Sequence, residues 1–191
     1  VYLLYWPCTW SIALGSLPGN VPLGASLQAA GLFLAGAGLM RGAGCTINDL
    51  WDKDVDRQVA TVFVITYPLA KRYTNYPQIF LGATFNWGAL LGYSAVQGTI
   101  DPAVCGPLYL GALAWTVVYD TIYAHQDKED DARIGMKSTA LTFGAHTKPL
   151  LSGTLAASAA CLAGVGHAAA LGWPYYAALA AAVTRAGHQV R

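Results

Sequence analysis

The chain has 191 residues, 55% of them hydrophobic and 11% charged, with a net charge of +1. About a quarter of a soluble domain is charged, so this composition argues against one, leaving only a very apolar soluble core as the alternative. A net charge near zero with no basic patch excludes nucleic acid as a partner.

Residues 1–18 read as one apolar helix, closed by the turn signal Leu17-Pro18-Gly19-Asn20. The chain opens inside this apolar stretch with no cleavable signal or transit peptide, as a fragment would. Residues 22–57 begin apolar and end in the acidic run from Asn48 to Arg57. Residues 59–72 form an apolar run too short to span a bilayer, ending in Lys71-Arg72. Residues 78–98 form a span, with Asp101-Pro102 as the break after it. Residues 104–126 form another, leading into Asp127-Lys128-Glu129-Asp130-Asp131. A polar connection runs to about Lys148, and residues 149–184 hold two further spans, split near Gly172-Trp173-Pro174.

Charge placement supports these spans. No Asp, Glu, Lys or Arg occurs in 1–40, 73–100, 102–119 or 149–184, and a bilayer-spanning helix needs about 20 mostly apolar residues. Gly, Ala and Ser fill the interiors, as suits close helix packing in lipid. Trp and Tyr recur near the ends, as in an interfacial belt. Lipid permits only helices or closed barrels, and these runs are too long and continuous for barrel strands. The fold class is therefore an all-α polytopic transmembrane bundle in the lipid bilayer. Cys8, Cys45, Cys105 and Cys161 are far apart and form no C-x-x-C pair, so neither a disulfide framework nor a zinc site is expected.

Nine of the ten acidic residues fall in two clusters: Asp49, Asp52, Asp54 and Asp56, then Asp120, Asp127, Glu129, Asp130 and Asp131. One such run at a helix end is commonly a solvated loop. Two of them, each closing an apolar helix, mark a functional site. At about 100° per residue, Arg41, Asn48 and Asp52 project within about 40° of one another if their helix continues, and so do Asp120, Asp127 and Asp131. Asp56 lies one further turn along. Asp54, Glu129 and Asp130 point off these stripes and read as solvated. Two carboxylate stripes brought together repel, and a hard divalent cation such as Mg²⁺ relieves the repulsion. The chemistry that fits is ionisation of an allylic diphosphate, whose leaving group carries heavy negative charge. Arg41, Lys71, Arg72 and Lys137 are candidate phosphate contacts. The carbocation needs a dry, aromatic-lined pocket, which Tyr119 and Tyr123, flanking Asp120, are placed to line. His125 is either a proton acceptor or a polar interfacial residue.

The run Arg41-Gly42-Ala43-Gly44-Cys45-Thr46-Ile47-Asn48-Asp49, continued by Asp52 and Asp56, resembles the N-D-x-x-D-x-x-x-D motif of the UbiA-type membrane prenyltransferases. The run from Tyr119 to Asp127, continued by Asp131, resembles their second aspartate motif, and Ile134-Gly135-Met136-Lys137-Ser138-Thr139 the segment after it. Tyr67-Pro68-Leu69-Ala70-Lys71-Arg72 and the opening helix are also similar. The resemblance covers nearly the whole chain and is strongest to the family's mitochondrial branch. It implies a helical bundle in the inner membrane, with Mg²⁺ bridging both motifs and a polyprenyl diphosphate. It further implies transfer of the prenyl group to 4-hydroxybenzoate, with a coenzyme Q biosynthetic complex as a partner. By the resemblance, Asn48, Asp52, Asp127 and Asp131 are the principal metal-side residues, with Asp49 and Asp56 beside them. Arg41, Lys71, Arg72, Asp120, Tyr123 and Lys137 are the substrate-side candidates.

The chain departs from the family after its first motif. The family carries an R-T-x-x-R-P type segment and a full helix there, whereas here Arg57-Gln58-Val59-Ala60 runs directly into Thr61. The expectation is one transmembrane domain over 1–191 with an internal deletion after about residue 60 and a shortened C-terminus, holding six or seven helical segments where the family has nine. Alternatives are a superfamily member acting on haem, homogentisate or a naphthoate, a non-catalytic shortened form that binds isoprenoid or cation without turnover, and a cation transporter.

Overall fold

The computed structural model describes residues 2–17, 19, 21–50, 70, 73–133 and 135–190, and their side chains except at 2–4, 40–50 and 130. The ordered elements are helices: α1 (Tyr2–Ser16), α2 (Leu23–Leu50), α3 (Pro77–Phe85), α4 (Gly88–Gln97), α5 (Pro102–Ala124), α6 (Lys128–Arg133), α7 (Thr139–Phe143), a 3₁₀ turn (Gly144–His146), α8 (Thr147–Ala168) and α9 (Trp173–Val190). They fall into two compact units, Val1–Thr66 with Phe85–Ile100, and Tyr67–Thr84 with Asp101–Arg191.

In the first unit α1 packs on α4 through small residues. Gly92 is buried, and a Cβ there would come within 2.7 Å of the Cys8 carbonyl oxygen and closer still to the Ser11 hydroxyl. The absence of a side chain lets the two backbones approach, which suits helix packing in lipid. The buried Ser11 hydroxyl reaches the carbonyls of Cys8 at 3.0 Å and Gly88 at 3.2 Å. Gln97 Nε2 donates to the Gly15 carbonyl across the same pair. The hydroxyls of Ser16 and Ser26, 2.7 Å apart, tie α1 to α2. Along α2, Leu23, Leu27, Leu32 and Leu39 are exposed.

In the second unit α5 is the central element. Asp101 caps it, accepting the Ala103 N–H at 2.9 Å, and Pro102 takes the first helical position, where no backbone donor is needed. Tyr109 donates its hydroxyl to the Ala83 carbonyl of α3 at 2.9 Å. Gly111 meets Cys161 and Leu162 of α8, where an added Cβ would sit 3.1–3.2 Å from both. The buried Ser158 hydroxyl donates to the Gly111 carbonyl at 2.8 Å. Below that contact Val118, Leu151, Leu155, Ala186 and Val190 form an apolar cluster joining α5, α8 and α9.

Three runs among the described residues are long and apolar enough to cross a membrane: Pro77–Gln97 (21 residues), Pro102–Ala124 (23) and Thr139–Ala168 (30). The first comprises α3 and α4, and at the start of α4 the Trp87 carbonyl accepts the N–H groups of both Leu90 and Leu91. Of the other expected spans, α1 has 15 residues, about 23 Å of helix against a hydrocarbon core of about 30 Å. The expected split near Gly172-Trp173-Pro174 lies between α8 and α9, but α9, with 18 residues, is not among the runs long and apolar enough to cross a membrane, so only one of the two spans expected in 149–184 is found among the described residues.

The α8–α9 turn is a Schellman closure. Leu171 N–H reaches the Gly166 carbonyl at 2.8 Å and Ala170 N–H the His167 carbonyl at 3.1 Å. Ala170 has φ +51°, a left-handed conformation that costs a residue with a Cβ roughly 1–2 kcal/mol. In Ala170→Gly we expect a gain of roughly 0.5–1 kcal/mol after the entropy of glycine is counted, read as a raised thermal midpoint in detergent. An unchanged or lowered midpoint would contradict the strain. At the opposite end of α8's preceding segment, the Oε1 of buried Gln78 accepts the Thr139 N–H at 3.0 Å, one of the donors that a helix start leaves without an internal partner. Gln78→Ala leaves that buried donor unmet, and a loss of roughly 1–3 kcal/mol in unfolding free energy is expected. Retention of full stability would show that another group satisfies it.

Candidate active site

The second acidic motif sits where α5 gives way to the short helix α6. The helix does not continue through it. His125 N–H is held by the carbonyls of Ile122 and Tyr123, Gln126 N–H by Tyr123, and α6 begins anew at Lys128. The single stripe expected from Asp120 through Asp127 to Asp131 is therefore corrected, because Asp120 belongs to α5, Asp127 precedes α6 and Asp131 lies within it. The physical reason is local. Asp127 takes the N-cap position, its carbonyl accepting the Asp131 N–H at 2.8 Å, and aspartate favours a helix start over a helix interior.

The two aspartates of this turn differ in surroundings. Asp127 is exposed, while Asp131, one turn further, is only 9% exposed. Asp120 is half-buried on α5, and Tyr123 is exposed. Glu129 is exposed, as its off-stripe position predicts. The Asp131 carbonyl accepts the Met136 N–H at 2.9 Å, folding the connection back beneath α6. His125 places Nδ1 2.8 Å from the Thr121 carbonyl. A carbonyl only accepts, so Nδ1 is the donor in this contact.

A buried polar set fastens both ends of this loop. Thr121 on α5 and Thr139 at the start of α7 are fully buried, with hydroxyls 2.6 Å apart. Gln78 of α3 holds the Thr139 N–H, and Ser138 caps α7 by accepting from Leu141. Thr142 donates to the Asn75 carbonyl at 2.9 Å. Gln78, Thr121 and Thr139 were not among the sequence candidates. Their signal is faint: a glutamine in an apolar helix and a threonine among the apolar residues of α5.

Lys137 lies on the same loop, and its Nζ donates to the Tyr73 carbonyl at 3.4 Å. Tyr73 directly follows Lys71 and Arg72 in the chain, so two segments that supply candidate phosphate contacts meet here. Lys71, Arg72, Asp52 and Asp56 themselves lie outside the described residues. Arg41, Asn48 and Asp49 lie in the last turns of α2, which runs on to Leu50, but their side chains are also outside the described set.

The donor chemistry of both motifs is oxygen alone, carboxylate and carboxamide, which suits Mg²⁺ rather than a softer metal. Among the described residues no three His, Cys, Asp or Glu side chains come together as a metal-holding group. Asp127 and Asp131 lie one helical turn apart in the acidic turn, and Asp120 lies on α5. A separate cleft of about 630 Å³, lined by Tyr76, Thr142, Phe143, His146, Pro149 and Leu150, contains none of the candidate site residues.

Comparisons with known proteins bear on the family. The chain is 46% identical to the mitochondrial 4-hydroxybenzoate polyprenyltransferases of Arabidopsis thaliana and Homo sapiens over 235 aligned positions, covering 99% of this chain and 57% and 62% of those proteins. The Drosophila melanogaster protein of the same name is 48% identical over 224 positions, covering 93% of this chain and 56% of its own length. The chain thus spans less than two thirds of these curated relatives. No solved structure matches it. The model of the UbiA prenyltransferase family matches residues 59–191, which include the acidic turn, Lys137 and the buried polar set. The chain belongs to the UbiA prenyltransferase family.

Proposed function

We propose that this protein transfers a polyprenyl group from polyprenyl diphosphate to 4-hydroxybenzoate, giving 3-polyprenyl-4-hydroxybenzoate for ubiquinone biosynthesis in the mitochondrial inner membrane. One observation carries the reading most. The loop with Asp127, Asp131 and Lys137 is fastened to apolar helices by buried hydroxyl and carboxamide contacts, so acids and a cation are held at the end of the span α5. The identity to proteins of that name supports the choice of substrates.

In this reading Asn48, Asp52, Asp127 and Asp131 hold Mg²⁺, with Asp49 and Asp56 beside the first pair. When bound, the ion offsets the negative charge that develops on the leaving diphosphate. Lys137, with Lys71, Arg72 and Arg41, contacts phosphate oxygens. Asp120 and Tyr123 line the substrate side. The apolar faces of the helices keep water from the allylic cation, and Tyr123 presents an aromatic face to it. The ring of 4-hydroxybenzoate attacks ortho to its phenol oxygen, forming the carbon–carbon bond, and then loses the proton on that carbon. His125, oriented by its Nδ1 contact to the Thr121 carbonyl, is the candidate acceptor on this loop. A coenzyme Q biosynthetic complex is the partner this role would have.

A second reading has its own support. A chain of 191 residues cannot fill 235 aligned positions. The relatives therefore carry at least 44 positions that this chain lacks, the difference of those two numbers. A deletion after about residue 60 accounts for them and would leave a form that binds isoprenoid or cation without turnover.

Prenyl transfer by the chain in proteoliposomes, with 4-hydroxybenzoate, a polyprenyl diphosphate and Mg²⁺, separates the two. The parent is expected to form product, and Asp127→Ala to lower it by about a hundredfold or more. A silent parent that gains activity when the segment after Ala60 is restored would mark the shortened form. A well-folded restored protein that stays silent would overturn the assignment.

A further inference from the structure

Between α8 and α9, well along the chain from the acidic turn, runs a groove of about 420 Å³. Its walls are small or apolar: Ser152, Leu155 and Ala156 on α8, and Val183 and Gly187 on α9. At the His188 end it opens into a second space of about 520 Å³, lined also by Arg185 and Gln189. The two spaces share Thr184 and His188, so they form one feature with an apolar floor and a basic mouth.

Arg185, His188 and Gln189 stand at i, i+3 and i+4 on α9, one face of the helix. All three are exposed, and no acidic residue lines either space. Trp173, 80% exposed, starts α9 at its other end, as an interfacial anchor does. Arg185 lies twelve residues further, about 18 Å along the axis. An exposed cation at the mouth of an apolar groove needs a counter-anion. Basic pockets between membrane helices meet this need with the phosphate of an anionic lipid.

We propose that this groove holds an anionic phospholipid, its phosphate against Arg185 and His188 and one acyl chain along Leu155, Ala156 and Val183. The occupant is a bilayer lipid and not the isoprenoid diphosphate, because the groove offers no carboxylate to share a metal with a diphosphate. The inference stands apart from the prenyl transfer proposed above and is tested without it.

Gly187 supplies a clean probe. A Cβ there would meet nothing within 4 Å, so Gly187→Leu fills the groove without forcing the helices apart. Gly153 on α8 has the same open surroundings but does not line the groove, and Gly153→Leu is the control. The full chain in detergent is offered equal phosphatidylglycerol and phosphatidylcholine, and retained lipid is counted by native mass spectrometry. The parent should retain phosphatidylglycerol about fivefold better, the factor expected for one cationic contact. Arg185→Gln should bring the two lipids to parity, Gly187→Leu should lower retention of both, and Gly153→Leu should match the parent. If Arg185→Gln loses its monodisperse elution, Gly187→Leu against Gly153→Leu decides alone. Equal retention of both lipids by the parent, parent-like retention in Gly187→Leu, or equal loss in Gly153→Leu would overturn the proposal. So would displacement of phosphatidylglycerol by stoichiometric farnesyl diphosphate, which would make the groove an isoprenoid diphosphate site.

Discussion

The hydroxyl contact between Thr121 and Thr139, with the Gln78 carboxamide beside it, is the interaction on which the described half of the site depends. A polar group left unmet in an apolar interior costs several kcal/mol. The Thr121 and Thr139 hydroxyls meet each other and Gln78 meets the Thr139 N–H, which ties α3, α5 and α7 together. The loop from His125 to Ser138 is thereby closed at both ends, and Asp127, Asp131 and Lys137 are carried on it.

Packing in the two units follows one rule. Where apolar burial between helices supplies little drive, close approach does the work. Gly92 against Ser11 and Cys8 in the first unit, and Gly111 against Cys161, Leu162 and the Ser158 hydroxyl in the second, are positions of close approach. A serine hydroxyl lies at each contact and bonds a carbonyl of the facing helix. The many glycines of this sequence are thus not equivalent: Gly187 and Gly153 face open space, and their replacement carries a different meaning.

Much of the helical layout was legible because its signals are local. Uncharged runs marked the spans, Asp101-Pro102 marked the start of α5, and Gly172-Trp173-Pro174 the boundary between α8 and α9. The motif around Asp127 and Asp131 was legible from residue type and spacing, and its family followed. The break at His125–Asp127 was not, because a helix carried at 100° per residue through an i, i+4 pair ignores the preference of aspartate for the cap. The boundary between α3 and α4 at Asn86–Trp87 falls inside an uncharged run, which hid it despite Gly88 beside it. The clamp from Gln78 to Thr139 joins residues 61 positions apart, and no local pattern carries that information. The meeting of Lys137 with the residue after Arg72 is long-range in the same way.

The central claim is that both acidic motifs hold one metal–diphosphate complex. Binding of Mn²⁺ in place of Mg²⁺, followed by electron paramagnetic resonance on the purified chain with and without farnesyl diphosphate, tests it most directly. Farnesyl diphosphate should tighten Mn²⁺ binding by about tenfold or more, and Asp52→Asn and Asp131→Asn should each remove that gain. Mn²⁺ binding indifferent to the diphosphate, or lost in one variant and untouched in the other, would contradict it.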